Sequence, residues 1–177
     1  MMPRTAMRKL VLCAMFAALC CLSTMVIQVP SPLGGYLNLG DGFVLTGAFL
    51  LGPLYGALAG GLGSALADLL GGYVLYVPGT LLIKAGMAAL AGLLYRPLAR
   101  HMPALPARLA AALPGECLMV LAYLAYEAWP LAYGAGALVG VSANVMQAIL
   151  GICVSLVLCT FFLKIPGLGH DLSGQKG

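Results

Sequence analysis

Asp41, Asp68, Lys84 and Glu127 are ionisable residues set inside or at the edge of long apolar runs, with Asn144 and Gln147 deep in another. Ionisable side chains are expensive in a bilayer and usually face a cavity or a partner. On helices, spacing puts each on a face with small or polar neighbours. Gly56, Gly60, Ser64 and Asp68 recur every four residues, and Thr80, Lys84, Ala88 and Gly92 form a similar seam. Glu116, Val120, Tyr123 and Glu127 share one face, and Gly140, Asn144, Gln147, Gly151 and Ser155 another. The four faces are expected to converge on one polar cavity, with Tyr36, Tyr73, Tyr76, Tyr126, Trp129 and Tyr133 at its mouth.

Each residue has a plainer role beside the functional one. Asp41 either caps a helix or reaches the cavity. Asp68 and Lys84 either line the site or form a structural ion pair between two helices. Glu127 is either a site residue or an exposed helix end. Asn144 and Gln147 either join helices or read a ligand's hydrogen-bonding edge. The aromatics are either rim residues or an interfacial belt. Glu116 lies nearer the inner half, where a structural role is expected.

The elements that must position these groups are transmembrane. Of 177 residues, 62% are hydrophobic and only 8% charged, against about 25% charged in soluble domains. An all-α membrane protein of six helices is expected, as a single domain over 1–177, with helices at about 10–29, 41–52, 53–70, 79–95, 109–128 and 136–163. The run at 10–29 is too long for a signal-peptide core and is read as a retained helix. About 12 residues rise only about 18 Å, so the second helix must be shielded by protein or extend through 36–40. Arg4, Arg8 and Lys9, then Arg96, Arg100 and Arg108, then Lys164 and Lys176 all fall on one side of a six-span chain. That side is cytoplasmic by the positive-inside rule, which puts both termini inside. The net charge of +4 therefore implies no nucleic-acid partner; the partner is the lipid bilayer.

Enzymatic chemistry finds no support. There is no phosphate loop ending in GK[ST] and no HExxH. Ser64 has no histidine base near it in sequence, and His101 and His170 have no role assigned. The six cysteines lie in apolar runs without CxxC spacing and read as small helix packers, not as a disulfide framework or metal site. No cofactor is expected.

Gly35-Tyr-Leu-Asn-Leu-Gly-Asp41, Leu50-Leu-Gly-Pro53, Gly60-Gly-Leu-Gly-Ser-Ala-Leu-Ala-Asp-Leu-Leu70 and Pro78-Gly-Thr-Leu-Leu-Ile-Lys-Ala-Gly86 follow one another here. With Tyr126-Glu-Ala128 and Asn144-Val-Met-Gln147, this pattern resembles the substrate-binding (S) components of energy-coupling-factor (ECF) vitamin transporters. The resemblance covers about 8–163. It implies six helices and an outward ligand site under a movable loop at 30–40, which adds Asn38 and Asp41 to the site. It also implies docking on a transmembrane coupling protein with two ATPases, in a bacterial plasma membrane. Small residues on the first helix, Ala14 and Ala18 with Ala17 beside them, are the expected docking face. The branch resembled takes riboflavin, hydroxymethylpyrimidine or pyridoxine-type vitamins. Asn144, Gln147, Asp68, Lys84 and Glu127 would hydrogen-bond such a heterocycle, and Tyr76, Tyr123 or Trp129 would stack on it. A nickel or cobalt S component would carry a histidine-bearing N-terminus, which is lacking here. The alternative is a stand-alone small-solute transporter or channel.

Overall fold

The computed structural model describes residues 4–30 and 36–164. They form α1 (Arg4–Val26), β1 (Gln28–Pro30), β2 (Tyr36–Asn38), α2 (Gly40–Leu51), α3 (Pro53–Leu70), α4 (Val77–His101), α5 (Ala104–Ala128), a 3-10 turn (Gly134–Ala137) and α6 (Leu138–Leu163). Among these, Ala6–Val26, Val77–His101, Ala104–Ala128 and Gly134–Leu163 are long and apolar enough to cross a membrane.

The helix bounds differ from the sequence reading where charge and proline dominate. The stretch 96–108 was expected as a loop, yet α4 runs on through Arg96, Pro97 and Arg100, and α5 starts at Ala104. Hydropathy ends a span at the first arginines, but a helix leaving the apolar layer loses nothing by carrying them. Pro106 sits in the first turn of α5, where the backbone N–H would have no intrahelical partner. At the other end, α1 stops at Val26 rather than 29, because the chain turns into an antiparallel hairpin. Gln28 pairs with Asn38, Val29 with Leu37 and Pro30 with Tyr36. The strands take up Pro30 and Tyr36–Asn38 of the expected movable loop at 30–40, whose residues 31–35 lie outside the described residues.

Helix α2 is the axis of the bundle. It touches α1, α3, α4 and α6, and every residue of it except Phe43 is buried. Its 12 residues are thus shielded by protein, and residues 36–38 join a strand instead of lengthening it. Small residues bring the neighbours this close. A Cβ on Gly63 would lie 2.3 Å from the Ala17 carbonyl oxygen, so the α1 and α3 backbones meet there. Between α2 and α3 the chain reverses at Gly52, at φ +86°, a conformation that favours glycine. Pro53 then opens α3 with a preset φ.

The outer surface is leucine-rich. On α3, Leu54, Leu58, Leu62 and Leu66 recur every four residues and are all exposed, while Gly56, Gly60, Gly63 and Ser64 are buried. The helix turns its side chains to lipid and its bare backbone to the protein, as close membrane packing requires. We expect Gly63→Ala to lower stability in detergent by about 1–3 kcal/mol, since the backbone oxygen opposite cannot move aside. Gly72→Ala, with open space around its Cβ position but a left-handed φ, should cost less; denaturation midpoints of the two variants check the order.

Candidate functional site

One end of the bundle carries the polar groups. It is formed by the C-terminal ends of α1, α3 and α5, the N-terminal ends of α2, α4 and α6, and strand β2. Thr24, Tyr36, Asn38, Ser64, Asp68, Tyr76, Thr80, Lys84, Tyr123, Glu127, Gly140, Ala143, Asn144 and Gln147 line a cavity there. The space not filled by atoms is about 520 Å³, a figure that takes in open solvent at the mouth.

The cavity floor is a charged network. Lys84 Nζ donates to Asp41 Oδ1, and the side chains are 2% and 0% exposed. Gln147 Nε2 donates to Asp41 Oδ2 at 2.7 Å. Its own Oε1 accepts from the Asn38 backbone N–H at 3.0 Å and from Asn38 Nδ2 at 3.2 Å. Asn38 Oδ1 in turn accepts from the Gly40 N–H at 2.8 Å, turning β2 into α2. Four elements are thereby joined through two amides and one ion pair. Asp41 lies in the first turn of α2, where a negative charge also meets the positive end of the helix dipole.

Sequence reasoning paired Lys84 with Asp68, and the structure corrects this. Asp68 accepts a hydrogen bond from the Tyr36 hydroxyl instead. Adjacency of α3 and α4 in sequence favoured the wrong partner; the buried α2 stands nearer the ammonium. Asp41 is neither a helix cap nor a wall residue. Leu39 is the N-cap position of α2, and Asp41 sits behind Lys84 and Gln147, outside the cavity lining. The other eight expected site residues, Asn38, Asp68, Tyr76, Lys84, Tyr123, Glu127, Asn144 and Gln147, all line it.

Tyrosines build the walls. Tyr76 Oη donates to Glu127 Oε1 at 3.3 Å, and the Thr80 and Tyr123 hydroxyls lie 2.9 Å apart. Lys84 Nζ stands 5.4 Å from the Tyr123 ring centre. Burial and the adjacent Asp68 carboxylate push the Tyr36 phenol well above its ordinary range, so it stays a donor. Tyr73 packs on Tyr36 with ring centres 4.5 Å apart, and Tyr126 on Tyr76 at 6.4 Å. Trp129, expected at the mouth, is 80% exposed and does not line the cavity; α5 ends one residue before it. Thr24, a hydroxyl beside Ser23 in the last turn of α1, was missed. Its one signal was a polar side chain close to the C-terminal end of the first apolar run.

The sequence profile of the ECF-type riboflavin transporter S component matches residues 4–164. The chain belongs to this family. It is accordingly a membrane-embedded component of a vitamin transporter and not an enzyme. A Pyrococcus woesei protein described as an uncharacterized protein in gap 3'region is 36% identical over 157 residues, spanning 88% of this chain and 95% of that protein.

Glu116 belongs to the protein interior, not to the S-component cavity. It is 2% exposed and neither carboxyl oxygen has a hydrogen-bond partner among the described residues. Two predictions follow from these placements. Lys84→Met should destabilise by about 3–5 kcal/mol, the cost of leaving a buried charge alone. Adding Asp41→Asn should recover most of that loss, whereas adding Asp68→Asn should not; thermal unfolding of the three variants in one detergent decides between the two pairings. Glu116→Gln should leave ligand affinity within about two-fold and should not lower stability, because no hydrogen bond is lost.

Proposed function

We propose that the chain is a six-span S component of the cell membrane, with both termini in the cytoplasm. It captures a water-soluble vitamin from outside for ATP-driven import. One observation carries this reading: the polar cavity and a set of basic residues at helix ends occupy opposite ends of the same bundle. Thr24, Asp68 and Glu127 lie near the C-terminal ends of α1, α3 and α5. Arg8 and Lys9 lie near the start of α1, Arg96 and Arg100 near the end of α4, and Arg108 near the start of α5. With basic residues inside, the cavity opens outward. A planar polar vitamin fits tyrosine walls above an amide and ammonium floor. The candidates are a pyridoxine-type vitamin, hydroxymethylpyrimidine or riboflavin.

Energy would come from a transmembrane coupling protein and two ATPases, docked on α1. Ala14 and Ala18 are exposed on that helix, four residues apart, whereas Ala17 is half-buried and its carbonyl faces Gly63 of α3. The docking face is therefore Ala14 and Ala18, and Ala17 belongs to internal packing. Small side chains allow a partner helix to approach where the bilayer supplies no hydrophobic drive.

Ala14→Trp and Ala18→Trp should leave vitamin binding by the isolated protein unchanged and abolish ATP-driven uptake in vesicles holding the coupling module. Uptake that survives both, or that needs neither ATP nor the module, favours a stand-alone transporter. For orientation, a single cysteine at Arg100 in a cysteine-free background should label only from the cytoplasmic side.

A further inference from the structure

Two carboxylates in the cavity wall are incompletely satisfied. Asp68 is 4% exposed and Glu127 5%. Each accepts one tyrosine hydrogen bond, from Tyr36 and Tyr76 respectively. The second oxygen of each, Asp68 Oδ2 and Glu127 Oε2, is buried without a hydrogen-bond partner among the described residues. Buried carboxylate oxygens left without donors are costly, so a site that keeps two of them is built for donors arriving from elsewhere.

The nearest ammonium does not answer this need. Lys84 lines the same cavity, but its charge is matched by Asp41 behind it. Counting that pair, the site holds three carboxylates against one ammonium and is left with an excess of negative charge. Tyr36, Tyr76 and Tyr123 line the same cavity; aromatic rings attract cations, as Lys84 over the Tyr123 ring already shows. Gly140 gives Glu127 its room: a Cβ there would lie 2.7 Å from Glu127 Oε2.

We propose that the ligand is a cation, a heterocycle bearing a protonated amine or ring nitrogen, whose N–H groups donate to Asp68 Oδ2 and Glu127 Oε2. The inference rests on the reading of this cavity as the vitamin site and narrows it. A neutral flavin has an imide N–H and ribityl hydroxyls to donate, but brings no positive charge to set against the two carboxylates.

Titration calorimetry of the full-length purified protein tests it with matched probes. Pyridoxamine and pyridoxine differ by one ammonium in place of a hydroxyl; thiamine is a fixed cation and riboflavin is neutral. The native protein should bind pyridoxamine at least about 10-fold more tightly than pyridoxine, the worth of one charge-assisted hydrogen bond. At least one of the two cations should also outbind riboflavin. Asp68→Asn combined with Glu127→Gln should shrink the pyridoxamine preference to within about two-fold. The ratio measured on the native protein decides the matter even where that variant fails to fold. Equal or tighter binding of the neutral probes, or no binding of either cation, overturns the inference. Riboflavin uptake that depends on ATP and the coupling module would do so while leaving the proposed function intact. ATP-independent uptake of a bound cation would instead strike at the proposed function alone.

Discussion

The buried contact between Asp41 and Lys84 is the constraint around which the bundle is arranged. An ammonium and a carboxylate out of reach of water are tolerated only together, and only with their remaining valences met. Lys84 therefore holds α4 against the first turn of α2, and Gln147 holds α6 against the other carboxylate oxygen. Asn38 completes the set by tying the hairpin strand to Gln147 and to the start of α2. Whatever positions α2 thus positions the cavity, because the residues that satisfy Asp41 are also cavity walls.

That dependence explains a helix which would be untenable alone. Twelve residues cannot cross an apolar layer of about 30 Å, and exposed helix ends in hydrocarbon would leave backbone groups unpaired. Enclosure by α1, α3, α4 and α6 keeps lipid away from the helix, so it need not span the layer itself and its ends meet protein instead of hydrocarbon. At its far end the Arg96 side chain lies against Gly52, just past the last turn of α2, where a cation suits the negative end of the helix dipole. An acid at one end and a base at the other stabilise a helix whose packing faces are all inward. Glycine and alanine then set the spacing, since α3 shows α1 and α2 little more than backbone.

The polar cost is concentrated where function needs it. Tyrosine hydroxyls answer one oxygen each of Asp68 and Glu127, both of which line the cavity, and leave the other buried without a partner among the described residues. Glu116 shows the contrast. It is equally buried and unpartnered, yet it lies against Gly151 and the Asp41 Cβ instead of the cavity. It does not line the cavity, so the two kinds of buried acid have different meanings despite similar exposure.

Composition and periodicity alone determined that the chain is membrane-embedded and helical. They also determined which faces carry polar groups and that small residues line the seams, because bilayer solvation acts on each segment independently. Asp68, Lys84, Glu127, Asn144 and Gln147 could be named from spacing, since a charge or amide within an apolar run has few affordable surroundings, whereas Asn38 came from the family resemblance. Tertiary structure decided what lies between the segments. It paired Lys84 with Asp41 rather than Asp68, placed Asp41 behind the wall, drew Thr24 and the hairpin into the site, and turned Trp129 away. Ion pairing depends on distance in space, and sequence order ranks α3 as the neighbour of α4 while packing puts α2 beside it as well. The helix ends at His101 and Ala104 were likewise decided among charged and proline residues, where hydropathy carries no information about where a helix stops.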